Sequence, residues 1–179
     1  MATLEDIAGQ LRRLQQTGFD KMLSHQALAS GFPASFFFAV ASRETNCVHE
    51  LGDVQADGAH GVGIVQVDIQ HPIALRARDD GSWRTNPAPL IALGAQLLAQ
   101  NIQQVREACP TLSDDEQLRV AASGYNCGVA RAIAAVKNGH DCDAHTTGGD
   151  YGSDVMARKA MFEQLMAEQP SAISAQQSA

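Results

Sequence analysis

Aromatic residues make up only 5% of this 179-residue chain, while alanine is abundant. Strands of a sandwich draw on aromatic and β-branched side chains, so the composition disfavours an all-β fold and suits closely packed helices. Positive charge is also scarce: 13 Lys and Arg stand against 20 Asp and Glu, for a formal charge of -7, and no basic run stands out. That argues against nucleic acid and anionic membrane as main partners. Long apolar runs are missing. The longest, residues 36–41, falls far short of the roughly 20 residues that span a bilayer. The first 16 residues carry Glu5, Asp6, Arg12 and Arg13 with no continuous apolar stretch, so neither a signal peptide nor a membrane anchor is expected there. Cysteines are few and unpaired in sequence: Cys47, Cys109, Cys127 and Cys142 include no CxxC, which makes a zinc site a poor reading and free, partly buried thiols the better one.

What is present reads as mostly helix. Leu4, Ile7, Leu11 and Leu14 recur at helical spacing after Thr3, a suitable N-cap, and Gly18 follows. A second helix is expected from about Asp20 to Gly31. A third opens at Pro33 and is apolar on nearly every side until Ser42, as a central buried helix would be. Residues 52–63 lose the period and read as an irregular Gly-rich loop. Val62, Ile64, Val65 and Val67 then suggest a short extended stretch. Residues 71–89 read as a polar connection, followed by a long helix that stops at Cys109-Pro110. Ser113 and Glu116 form a capping-box pattern, opening a helix that residues 124–128 are expected to interrupt and Val129 to resume. Ser153 is a candidate cap for the last helix. A single domain over residues 1–169 is expected, with a flexible Ser-, Ala- and Gln-rich tail at 170–179.

Glu44 is the conspicuous residue, at the end of the apolar segment in Ser42-Arg43-Glu44-Thr45. A carboxyl held against hydrophobic groups loses hydration, which raises its pKa and suits it to act as a general acid. The plain alternative is a carboxylate paired with Arg43 or another arginine. In Asp57-Gly58-Ala59-His60-Gly61-Val62-Gly63-Ile64-Val65-Gln66-Val67-Asp68, glycines that permit close approach to a ligand lie between two carboxylates. Alternation in the extended stretch would put Gln66 and Asp68 on one face. An acid in an apolar setting opposite solvated carboxylates is the arrangement used to cleave glycosidic bonds. Asp154 and Arg158, four apart, read as a structural pair. Five of the six histidines, His49, His60, His71, His140 and His145, are candidates for a metal site, but they show no recognised metal-ligand spacing, so no metal and no cofactor is expected.

These residues together resemble goose-type (g-type) lysozymes, members of the same glycoside hydrolase family as soluble lytic transglycosylases. Ser42-Arg43-Glu44-Thr45, Asp57 and the stretch from Gly61 to Asp68 match that family's signature without a gap. Ala122-Ser123-Gly124-Tyr125-Asn126-Cys127-Gly128 resembles its Ala-Tyr-Asn-x-Gly motif, and residues 150–158 resemble its Asp-Tyr-x-x-Asp-Val-x-x-Arg segment. The resemblance implies a mainly α, lysozyme-like α+β fold with a small β element beside the substrate cleft. It also implies cleavage of the β-1,4 bond between N-acetylmuramic acid and N-acetylglucosamine in peptidoglycan. Glu44 would then be the general acid, and Asp57 and Asp68 would hold the attacking water, with inversion. Gln66, Tyr125, Asn126 and Tyr151 would line the cleft, joined by His60 and Asp150. For Tyr125, Asn126 and Tyr151 the plain reading is turn-shaping and packing.

A lytic transglycosylase needs the acid but closes a 1,6-anhydro ring in place of using water, and the two aspartates favour hydrolysis over that reaction. Competing with both are a chitin-cleaving variant and a non-catalytic glycan-binding module. The resemblance makes glycan strands the expected partner of a monomer acting at the cell wall, outside the membrane, and admits an inhibitor or immunity protein as a second partner. With no leader visible, delivery by a non-classical route, or synthesis without the leader, is expected. The acidic charge departs from the basic character common among lysozymes, which helps them adhere to anionic walls.

Overall fold

The computed structural model describes residues 2–56 and 58–168, so Asp57 and the tail predicted over 170–179 lie outside the described residues. The fold is mainly α, with eight α-helices and a small antiparallel sheet among those residues. Helix α1 (Leu4–Thr17) starts on the expected cap: Thr3 accepts from the Asp6 amide, and the Asp6 carboxylate accepts from the Thr3 amide. Gly18, in the left-handed region, ends α1 and leads directly into α2 (Phe19–Ala29).

Helix α3 (Ala34–Thr45) lies at the centre, as its all-round apolar sequence predicts. Phe36, Phe37 and Phe38 are buried, and Phe38 meets Phe162 of the last helix edge-on at 5.6 Å between ring centroids. Each such side chain contributes roughly 1.5–3 kcal/mol by leaving water. The polar end of α3 must therefore emerge from the core carrying Arg43 and Glu44.

The sheet corrects the expected irregular loop. Strands β1 (Leu51–Gln55) and β2 (Gly58–Val62) form a hairpin in which Gly52 pairs with Gly61, and β3 (Val67–Asp68) adds to its other edge. Glycine and aspartate obscured the strands because one face of the hairpin is open to solvent and two of its positions must lack a Cβ. The extended stretch predicted from Val62 to Val67 is also corrected. Residues 63–66 form a turn closed by the Gln66 amide on the Gly63 carbonyl at 3.1 Å, and Gln66 itself has φ 47°. Gln66 and Asp68 thus do not share a face by strand alternation.

The predicted polar connection contains helix α4 (Pro72–Asp79) and a 3₁₀ turn over Ser82–Arg84. Helix α4 buries only Ala74 and Ala77, too few apolar positions to show a period. The long helix α5 (Ala88–Ala108) ends where Cys109-Pro110 predicts. Helix α6 (Asp114–Cys127) carries the Ser113–Glu116 capping box. It also runs straight through Gly124, Tyr125 and Asn126, contrary to the expected interruption. Gly124 is needed for close approach, because a Cβ there would lie 2.7 Å from the Val129 Cα. The chain breaks only at Gly128, before α7 (Val129–Lys137).

Helix α8 (Tyr151–Glu168) packs along α3 and begins two residues before the predicted Ser153 cap. Its cap comes from a distance: the buried Asp143 carboxylate accepts the Gly152 amide at 2.6 Å and the Ser153 amide at 2.9 Å. Burial alone would raise the Asp143 pKa, yet these bonds, with Ser123 and Arg119, hold it below the usual carboxylate range. No helix among the described residues is long and apolar enough to cross a membrane. Cys47, Cys109, Cys127 and Cys142 are free thiols.

Candidate active site

Glu44 sits in the last turn of α3, half-buried where the apolar helix meets the sheet. Burial pushes its carboxyl from 4.5 up to about 7, a rise that the Tyr151 hydrogen bond and the nearby Arg43 charge only partly offset. The salt bridge to Arg43 that the sequence allowed is not what forms. The Tyr151 phenol donates to Glu44 Oε1, while Arg43 reaches Asp150 at 2.8 Å and Asp154 at 3.2 Å. Tyr151 is itself buried, so burial, then the Glu44 charge, raises the phenol's pKa and keeps it a donor. The predicted structural pair also forms: Arg158 Nε lies 2.7 Å from the Asp154 carboxylate.

The wall facing Glu44 is held to α3 by backbone contacts. The Thr45 hydroxyl donates to the Ile64 carbonyl at 3.0 Å. His49 Nδ1 accepts the Ile64 amide at 3.1 Å, which leaves Nε2–H to donate to the Trp83 carbonyl at 2.6 Å. Tyr125 donates to the Val65 carbonyl at 2.8 Å from the other side. The 63–66 turn is therefore gripped at three points. Gln66 lies across the hairpin, its amide donating to the carbonyls of Gly63 at 2.7 Å and Glu50 at 3.2 Å. Any Cβ at Gly52 or Gly61 would collide with its carboxamide. A Gly61→Ala chain is expected to displace Gln66, raising KM several-fold and costing on the order of 1–3 kcal/mol of stability, as overpacking does. Steady-state kinetics and a denaturant titration check both.

The cleft so enclosed has a volume of about 410 Å³ and is lined by Glu44, His60, Gln66, Asp68 and Asn126, all predicted from sequence. Glu50, Asp53 and Thr147 also line it and were not predicted. The signal for Asp53 was its place on β1, and for Glu50 its place just before β1, in a hairpin that the glycine-rich sequence concealed. Asp68 is exposed, with Oδ1 accepting the Gln70 amide at 2.7 Å. Asn126 Oδ1 accepts the Thr147 amide at 2.8 Å. Beyond Gln66 and Asp68 the groove continues into a second region of about 600 Å³, lined by Tyr125, Asn101, His71 and Arg131 among others. Asp150 borders neither region among the described residues and is tied to Arg43 instead. At the Asp141, Cys142 and Asp143 cluster, Arg119 sits on both carboxylates, at 2.7 and 3.3 Å.

The arrangement is therefore an open groove onto which a half-buried glutamate of raised pKa faces, with four carboxyl groups in all and no Lys or Arg among the described residues of its first region. A mainly helical body with such a groove beside a three-stranded sheet places the molecule in the lysozyme-like class. Residues 10–165 match the family model Lysozyme g, and the chain belongs to that family. It is similar to Lysozyme g of Gallus gallus, at 29% identity over 125 residues covering 70% of this chain and 54% of that one. Lysozyme g of Epinephelus coioides is 30% identical, covering 68% and 61%, and that of Casuarius casuarius 28%, covering 70% and 62%. The chain thus spans between 54% and 62% of the length of these relatives.

Proposed function

We propose that this chain is a muramidase that hydrolyses the β-1,4 bond between N-acetylmuramic acid and N-acetylglucosamine in peptidoglycan, with inversion. The observation that carries the reading is Glu44: a carboxyl pushed up to about 7 by burial, opening onto a groove that Asp68 also lines. An acid of that strength keeps a large protonated fraction, about half, at neutral pH and is stable enough as a carboxylate to give its proton up. Glu44 passes its proton to the leaving glycosidic oxygen as the bond to the sugar's anomeric carbon breaks. Asp68, together with Asp57, takes a proton from a water that attacks the opposite face. The proton lost by water ends on an aspartate, and the hydroxyl ends on the sugar. Inversion requires the carboxyls to stand roughly 6.5–9.5 Å apart, with the water between them.

Asn126 and His60 supply amide and ring nitrogens to the sugar's hydroxyl and acetamido groups, Gln66, whose amide donors are held by the Gly63 and Glu50 carbonyls, shapes the floor on which the sugar rests, and Tyr125 and Tyr151 support the groove behind them. The substrate places the action at the cell wall, outside the membrane. The chain works as a monomer in one catalytic domain, and an inhibitor or immunity protein would act by filling the groove.

The test is to digest purified peptidoglycan and weigh the fragments. Products heavier by one water per cut, with the new reducing end first seen as the α-anomer by NMR, are expected. Fragments whose masses sum to that of the uncut strand, one water short of the hydrolysis products and ending in a 1,6-anhydro ring, would instead make the chain a lytic transglycosylase, and no release would leave a glycan-binding module.

A further inference from the structure

Arg43 is a charged residue of α3 that lines neither region of the groove, yet it stands next to Glu44 and is tied to the helix that carries Tyr151. Its guanidinium forks across the first turn of α8. One nitrogen lies 2.8 Å from Asp150, the other 3.2 Å from Asp154, and the central carbon is 5.6 Å from the centre of the Tyr151 ring. The grip is reciprocal: Arg158, one turn further along α8, donates to the Ser42 hydroxyl at 2.7 Å and the Ser42 carbonyl at 3.1 Å. Ser42 and Arg43 of one helix and Asp154 and Arg158 of the other thus form a two-way clasp. The residues beyond it, Glu44 and Tyr151, are the ones whose side chains meet.

We propose that Arg43 is a positioning residue for the reaction: by forking across Asp150 and Asp154 it keeps the Tyr151 phenol seated on the Glu44 carboxyl. The inference rests on the reading of Glu44 as the general acid. Two carboxylates held by one planar fork fix a rotation as well as a distance, which a single-point contact does not. The phenol so placed donates to Glu44, and a hydrogen bond to a carboxylate favours the charged form that remains after proton transfer.

The groups facing Glu44 set the sign of the effect. From α3 comes Arg43 and from α8 Tyr151, and both lower the Glu44 pKa. From α6 comes the Tyr125 phenol, itself raised by burial, and Glu50, Asp53, His60 and Asp68 line the same cleft. Only Arg43 in this set is a permanent cation. Losing it removes a charge and loosens the phenol, and both changes raise the pKa of the acid.

The experiment is the pH profile of peptidoglycan turnover for Arg43→Gln. Its alkaline limb is expected to move up by about half a unit to one unit. Turnover at pH 5, where Glu44 is protonated in either chain, is expected to fall about tenfold because the acid is weaker and less well placed. KM stays as it was, since Arg43 does not line the groove. An alkaline limb coincident with that of the unaltered protein, with only the melting temperature lowered, would overturn the proposal.

If Arg43→Gln does not fold, Arg43→Lys keeps the charge without the fork. Its limb is expected to move up by less than that of Arg43→Gln, because the charge is kept while the phenol is loosened, and turnover is expected to fall several-fold, a fall that vanishes in a Tyr151→Phe background. A fall of equal size in both backgrounds would overturn the proposal. If the unaltered protein shows no alkaline limb and Glu44→Gln remains active, the general-acid reading fails first and takes this inference with it.

Discussion

Glu44→Gln is expected to lower peptidoglycan turnover by about two to four orders of magnitude, the span that general acid catalysis contributes. The change is nearly isosteric, and the glutamine carbonyl can still accept the Tyr151 phenol that Glu44 accepts. What the amide cannot do is give up a proton to a leaving oxygen. In the unaltered protein the same group dictates a pH dependence: turnover is expected to hold below about pH 7 and decline above it, as Glu44 loses its proton. Assays of both chains from pH 4 to 9 test the pair of statements, and a glutamine variant within a few-fold of the original would remove Glu44 from the role.

The same substitution has an opposite effect on stability. Because burial raises the folded-state pKa of Glu44 from 4.5 to about 7, the folded state holds a proton that the unfolded state releases. The contribution of this group to stability is therefore full below 4.5 and is lost as pH rises through 7. The difference amounts to on the order of 3 kcal/mol if the whole shift is expressed. Glu44→Gln is neutral at every pH, so it is expected to unfold at a higher temperature than the original at pH 8 and at about the same temperature at pH 4. Calorimetry at the two pH values checks this.

Asp154 is the second position where a single change is expected to matter greatly. Its side chain is 3% exposed and accepts from Arg158 at 2.7 Å and from Arg43 at 3.2 Å. Arg158 is buried as well, with Nη1 donating to both the carbonyl and the hydroxyl of Ser42. Asp154→Ala leaves two guanidinium groups without their shared anion, one of them, Arg158, largely buried. Breaking a buried ion pair from one side costs about 3–5 kcal/mol, far more than the pair itself is worth against an apolar replacement. A urea titration should show a loss of that size, little relieved by salt because the site is sheltered from counterions. By contrast Asp150, whose side chain is 51% exposed on the same fork, should cost under about 1 kcal/mol when changed to asparagine. A comparable small loss at Asp154 would mean that the clasp contributes little to the fold.

The helices with an amphipathic period or a cap of their own could be read directly from the sequence, as Thr3, Gly18, Ser113 and the apolar run before Ser42 illustrate. The hairpin could not. Gly52 and Gly61 are there to admit Gln66 rather than to build strands, so they erase the alternation by which strands are recognised. Helix α8 was placed too late because its cap, Asp143, stands outside the local window in which capping residues are sought. In the site, Glu44 was legible because a carboxyl following an apolar run is chemically anomalous. Its partner was less so. Tyr151 lies 107 residues away in sequence, and only the fold reveals that Arg43 serves the distant helix and not its neighbour.

The last turn of α3 has a consequence for how this part of the chain can vary. Ser42, Arg43, Glu44 and Thr45 are consecutive, and each engages a different neighbour: Arg158, the Asp150–Asp154 fork, Tyr151 and the Ile64 carbonyl. One helical turn fans four side chains through a full circle, at about 100° per residue. Adding or removing a single residue upstream in α3 would rotate all four together and detach them at once. Length variation in this chain should accordingly be absent from the twelve-residue helix that carries the acid.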